Sequence, residues 1–180
     1  MTDALIVIDM QQGSFGPQSP RHDAAALVER LNRLARAVRT EGGVVVFVQH
    51  DGPEGDPHHP QAPGWHLVAG LDVRPDDIIV RKTACDAFLG TALNQVLRES
   101  GVDRLIITGC ATDYCVDTTV RAALARGWST VAPSDGHTTC DRPHLSAAQI
   151  IAHHNAIWAD FLAPRGPAVV CACAEIRLST

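Results

Sequence analysis

At 180 residues the chain fits one domain with a sizeable core, and a hydrophobic content of 46% excludes a disordered polypeptide. The formal net charge of −5, from 15 Lys and Arg against 20 Asp and Glu, leaves no basic stripe and argues against nucleic-acid partners. No apolar run approaches the ~18 residues of a membrane span.

The first apolar run, residues 4–8, ends at Asp9. A Gly, Pro and Ser loop follows, and Asp23 is placed to cap a helix over residues 23–41, in which Leu27, Leu31, Leu34 and Val38 keep helical spacing. Gly42 and Gly43 stop that helix. Residues 44–48 are then apolar without alternation, as in a strand buried on both faces of a parallel sheet. Residues 51–77, rich in Pro, Gly and His, read as a long loop that covers a pocket. A third strand ends at Lys82, and a helix spans residues 91–100. Residues 104–108 give a fourth strand, 113–126 a helix and 129–133 a fifth strand. Ser146 and Gln149 form a capping box, ahead of a helix whose inner face carries Ile150, Ile151, His154, Ile157, Trp158 and Phe161. Residues 168–173 supply the last strand. Strands alternating with helices predict an α/β protein, a single domain over residues 1–180 with helices on both faces of a parallel sheet.

The six cysteines contain no CxxC pair, and the start Met1-Thr2-Asp3-Ala4 has no basic leader region, so reduced thiols and a cytoplasmic setting are expected. One cysteine stands apart. Residues 105–108 are an apolar strand, small residues follow, and Cys115 opens a helix, where orphan N–H groups and the helix dipole lower a thiol's pKa. Asp9 and Lys82 also sit at the exits of apolar strands, where parallel sheets place their ligand crevice.

Asp9-Met10-Gln11, Pro63-Gly64-Trp65, Lys82 with Phe88-Leu89-Gly90-Thr91, the block from Gly109 to Val116, and Ser134-Asp135 occur in an order and spacing that resembles the isochorismatase-like cysteine hydrolases. That family includes nicotinamidases, N-carbamoylsarcosine amidases and streptothricin hydrolases. The resemblance implies a three-layer α/β/α fold with a six-stranded parallel sheet in the order 3-2-1-4-5-6. It implies that Cys115 attacks a carbonyl carbon, that Asp9 carries the proton, and that Lys82 holds the pair electrostatically. Backbone N–H groups of Ala111 and Cys115 would form the oxyanion hole, with a cis peptide at Cys110-Ala111.

By resemblance and by position, Phe15, Trp65, Phe88 and Tyr114 are candidate pocket walls, and His137 and His144 could add polar recognition. Asp51, Asp56, His58 and His59 offer metal-ligand types, but in places shifted from the nicotinamidase pattern; the expectation is no metal and no other cofactor. The expected reaction is hydrolysis of a C–N bond in a small amide, carbamoyl or lactam through a thioester. The alternatives are vinyl-ether hydrolysis, which needs no thiol, and a non-catalytic subunit that kept the fold. Family members pair commonly, so a homodimer or homotetramer is expected, with a small-molecule substrate and no membrane partner.

Overall fold

The computed structural model describes residues 1–18 and 20–179. Five strands form a parallel sheet in the order β3-β2-β1-β4-β5, where β1 is Thr2–Ile8, β2 Val44–His50, β3 Ile78–Lys82, β4 Val102–Cys110 and β5 Ser129–Val131. A sixth strand, β6, is His137–Thr138; it continues beside β4, pairing with Gly109 and Cys110. The expected last strand is not a ladder. Residues 168–173 run parallel to β5 through one bridge, Val131 with Val169, and through Ser134 N–H donating to Cys171 O at 2.8 Å. Pro133, which has no N–H to donate, falls in the stretch of β5's exit that this segment follows.

Side-chain alternation along the strands builds two cores. Leu5 and Val7 of β1, Val45 and Phe47 of β2 and Ile106 of β4 face α1, Ala24–Thr40, which buries Leu27, Leu31, Leu34, Ala35 and Val38. Ile6, Ile8, Val46, Val48, Leu105 and Ile107 face the other way, toward α2 (Leu93–Glu99), α3 (Asp117–Ala125) and α4 (Ala147–Ala159). Burying both faces makes the strands near-continuously apolar, and the three-layer fold follows.

Two helix starts depart from expectation. Asp23 adopts a left-handed conformation and makes no capping hydrogen bond; its carboxylate instead accepts from Arg30 Nη2 at 2.9 Å. The segment after β4 begins as a π-turn, Thr112–Val116, before α3, so Cys115 sits inside a wide turn and not in the first turn of an α-helix. The capping box at Ser146 and Gln149 is formed as expected. On α4, Ile150 and Trp158 are buried, whereas Ile157 is exposed.

Candidate active site

Winding reverses between β1 and β4, and at that point the strand ends open a crevice. Ile8 pairs with Gly109 on one side and Val48 on the other, so Asp9 and Cys110 leave the sheet side by side. Gly109 has φ +117°, and a Cβ there would stand against the Ile8 backbone. Only glycine permits this approach. Strict alternation would send the Asp9 side chain to the α1 face. Its φ of 46° ends the alternation, a conformation that Asp tolerates better than most residues.

Lys82 arrives from β3, two strands away, at about 9–10 Å by ordinary strand spacing. Its side chain spans that gap. Nζ donates to Asp9 Oδ2 at 2.7 Å, to the Ala84 carbonyl at 2.8 Å and to Cys115 Sγ at 3.3 Å. Three donors meet three acceptors, so the buried ammonium is satisfied. Burial acts to lower its pKa, but Asp9 and then Cys115 outweigh that and hold Lys82 above its ordinary value. Asp9 Oδ1, by contrast, is buried with no hydrogen-bond partner among the described residues. It is a free acceptor beside a thiol.

The thiol itself runs against the sequence-based expectation. Burial and then the Asp9 carboxylate push Cys115 well above the ordinary thiol range, and the opposing pull of Lys82 is smaller. The Cys110–Ala111 peptide is cis, and the Ala111 carbonyl accepts from the N–H groups on either side of Cys115, those of Tyr114 and Val116, each at 3.1 Å.

Above these groups lies a cavity of about 320 Å³ lined by Asp9, Cys110, Ala111, Tyr114 and Cys115, and also by Ser14, Arg21, His50, His58, Cys85 and Arg142. Of the four aromatic walls expected, Tyr114 lines it. Phe88 is buried in the core under Arg126, Phe15 packs on the α1 side, and Trp65 donates from Nε1 to Asp51 Oδ1 at 2.8 Å beneath Arg81. His144 is exposed outside the cavity. His137 is buried between Thr112 Oγ1 at 2.8 Å and Asn155 Oδ1 at 3.0 Å, where burial lowers it to about 4.

Three of the candidate metal ligands, Asp51, Asp56 and His58, engage protein partners, Asp56 and His58 one another. Asp51 binds Trp65 and Arg81, and Asp56 binds His58 Nδ1 at 3.1 Å, while His58 Nε2 meets Ser14 Oγ at 2.9 Å. Among the described residues no three His, Cys, Asp or Glu side chains are placed to hold a metal together.

Two arginines of the polar lining, Arg21 and Arg142, were missed in sequence. Arg21 lies in the irregular loop after β1, pinned to β6 by Thr138 Oγ1 donating to His22 O at 2.6 Å and His22 N–H donating to Thr139 O at 2.9 Å. Arg142 is turned inward by Asp113, two residues before the thiol, with Nε on Oδ2 at 2.9 Å. Only the position of Asp113 inside the Cys115 block hinted at it.

Residues 3–158 match the family model described as Isochorismatase domain. A streptothricin hydrolase from Streptomyces noursei is 36% identical over 140 residues, which is 78% of this chain and 51% of that protein. The chain thus spans about half the length of the streptothricin hydrolases it matches. A solved isochorismatase family protein superposes with a TM-score of 0.86 at 35% identity, over 94% of this chain and 98% of that one. A cysteine hydrolase from Pseudomonas syringae pv. phaseolicola 1448A gives a TM-score of 0.86 at 26% identity, over 96% and 89%. The chain belongs to the isochorismatase family of hydrolase-like proteins.

Proposed function

We propose that this protein is a cysteine hydrolase that cleaves a C–N bond, in an amide, carbamoyl or lactam group of a small molecule, through a thioester on Cys115. The observation that carries the reading is the Lys82 ammonium, which holds Asp9 Oδ2 and Cys115 Sγ together at the floor of the cavity. The streptothricin hydrolase and cysteine hydrolase among the relatives support the reaction class.

The free thiol is protonated at neutral pH, so its proton leaves as the carbon–sulfur bond forms. Asp9 Oδ1 takes that proton while Sγ attacks the carbonyl carbon and the carbonyl oxygen becomes an oxyanion. Ala111 and Cys115 N–H groups receive the oxyanion, each such donor being worth about 3–4 kcal/mol of barrier. Collapse breaks the C–N bond, and the leaving nitrogen takes the proton back from Asp9. Water then attacks the thioester, gives one proton to Asp9, and the sulfur leaves and recovers it. Lys82 keeps its charge throughout and offsets the negative charge that passes from Asp9 toward sulfur.

The test is a screen of small amides, carbamates and lactams for released ammonia or new carboxylate, with Cys115→Ala as the blank. An aldehyde analogue should add its mass to the peptide containing Cys115. Full turnover in Cys115→Ala would end the thioester reading. The same proposal includes a homodimer or homotetramer, supported by exposed Leu162 and Val169, and static light scattering at micromolar concentration checks it; a monomer counts against it. It also includes a cytoplasmic setting, supported by six free cysteines. Among the described residues no helix is long and apolar enough to cross a membrane.

A further inference from the structure

The cavity above Cys115 carries an uncompensated charge, and it traces to one side chain. At the floor Lys82 and Asp9 cancel. At the rim Arg142 is engaged on every side: Nε and Nη2 on Asp113, Nη2 also on Thr139 Oγ1 at 3.3 Å, Nη1 on Cys140 Sγ at 3.3 Å, and its plane over Tyr114 at 5.1 Å. His58 is held between Asp56 and Ser14.

Arg21 differs from all of these. Its Nε donates to the Ser14 carbonyl at 2.7 Å, which fixes the guanidinium against the wall. Among the described residues no carboxylate lies within ion-pair distance, and Nη1 and Nη2 have no protein acceptor. The side chain is half-buried, and its charge acts on Cys110, the residue that begins the Cys110–Ala111 peptide. The loop bonds of His22 to Thr138 and Thr139 hold it there before any ligand arrives.

We propose that Arg21 is a specificity-determining residue of this cavity and that the substrate carries a carboxylate on the same small molecule as the scissile C–N bond. The inference rests on the hydrolase reading for the position of the scissile carbonyl over Cys115. Two free nitrogens on one planar edge match the two oxygens of a carboxylate, and a half-desolvated guanidinium strengthens that pairing. A volume near 320 Å³ stands at the low end of small-molecule sites, so carbonyl and carboxylate belong to one compact molecule. Arg142 cannot serve the same end without breaking its bonds to Asp113.

The experiment measures binding in Cys115→Ala, where no chemistry intervenes, by calorimetry with succinamate against succinamide and N-carbamoylglycine against N-carbamoylglycinamide. The acids should bind roughly 10–100-fold more tightly than their neutral partners, as a charge-assisted pair allows. Adding Arg21→Gln should remove that preference. Arg21→Lys, which keeps the charge and loses the planar edge, should restore part of it. Equal binding of acids and neutral amides in the parent, or a preference that survives Arg21→Gln, overturns the proposal. Should Arg21→Gln not fold, by circular dichroism, the salt dependence of acid binding in the parent decides, and binding that does not weaken as salt is raised overturns it. Turnover of the same compounds by the unsubstituted enzyme reads the hydrolase proposal separately. No hydrolysis, with binding that still depends on Arg21, would count against that reading and leave Arg21 standing as the residue that binds a carboxylate in this cavity.

Discussion

Cys115 is held protonated by burial and by the very carboxylate that is proposed to deprotonate it, and the two roles of Asp9 can be separated by one substitution. Asp9→Asn removes the negative charge that, after burial, raises the thiol most, and leaves Lys82 opposed chiefly by burial. Asparagine also tolerates the left-handed backbone at this position, so the fold should persist. The expected outcome is faster alkylation of Cys115 by iodoacetamide at pH 7 than in the unsubstituted protein, together with loss of turnover. Slower alkylation in Asp9→Asn would mean that the Asp9 charge does not govern the thiol. At this scale the residue types were legible: an acid, a lysine and a thiol at three strand exits are visible in sequence. The direction of the thiol's shift was not, because it depends on burial. Nor was Arg21, whose significance lies in the carboxylate partner it lacks among the described residues.

The short element β6 shows how a buried titratable group can belong to the frame and not to recognition. His137 joins the π-turn through Thr112 to α4 through Asn155, and its ring lies 5.0 Å from that of Trp158. Its value near 4 lies below the unfolded value of about 6.5, so the unfolded chain binds the proton first as pH falls. Stability is therefore fully present above about pH 6.5 and declines toward pH 4, by up to about 1.4 kcal/mol per pH unit from this group. Urea titrations at pH 6.5 and 5 should show a smaller decline for His137→Gln than for the unsubstituted protein. The helices α1 and α4 were legible from spacing and from the Ser146 capping box. The two-residue β6 and the π-turn were not, since neither is long enough to leave a periodicity. Residues 168–173 looked like a strand because they are apolar, but only a single bridge forms.

Across the whole molecule, the first strand is tied to the far end of the chain. Asp3 accepts from Arg104 Nε at 2.7 Å and Nη2 at 2.8 Å, and from Ser179 N–H at 2.8 Å, while Arg104 Nη2 also reaches the Arg177 carbonyl at 2.8 Å. Burial would raise the Asp3 carboxyl, yet these donors hold it below its ordinary value. A depressed carboxyl contributes stability above its unfolded value of about 3.9, and that contribution is lost as pH falls through the folded value. Asp3→Ala should cost about 1–3 kcal/mol at pH 7 and much less at pH 3, read from denaturant midpoints. No local pattern announces a contact between the two ends of the chain. Strand order, in contrast, was largely legible, because right-handed crossovers leave few ways to wind one sheet and the family resemblance selects among them.

The strand that delivers Lys82 lies at the rim of that sheet and, among the described strands, pairs with β2 alone. Rim strands fray before central ones, with opening free energies well below that of global unfolding. Because Asp9 and Cys115 stand on the central pair and their shared cation on the periphery, detachment of β3 would dismantle the charge arrangement while most of the core stayed intact. Amides of Ile78–Lys82 should therefore exchange with deuterium earlier than those of β1 and β4, and enzymatic competence should vanish at a lower urea concentration than circular dichroism. Coincident midpoints would show instead that the rim and the centre open as one unit.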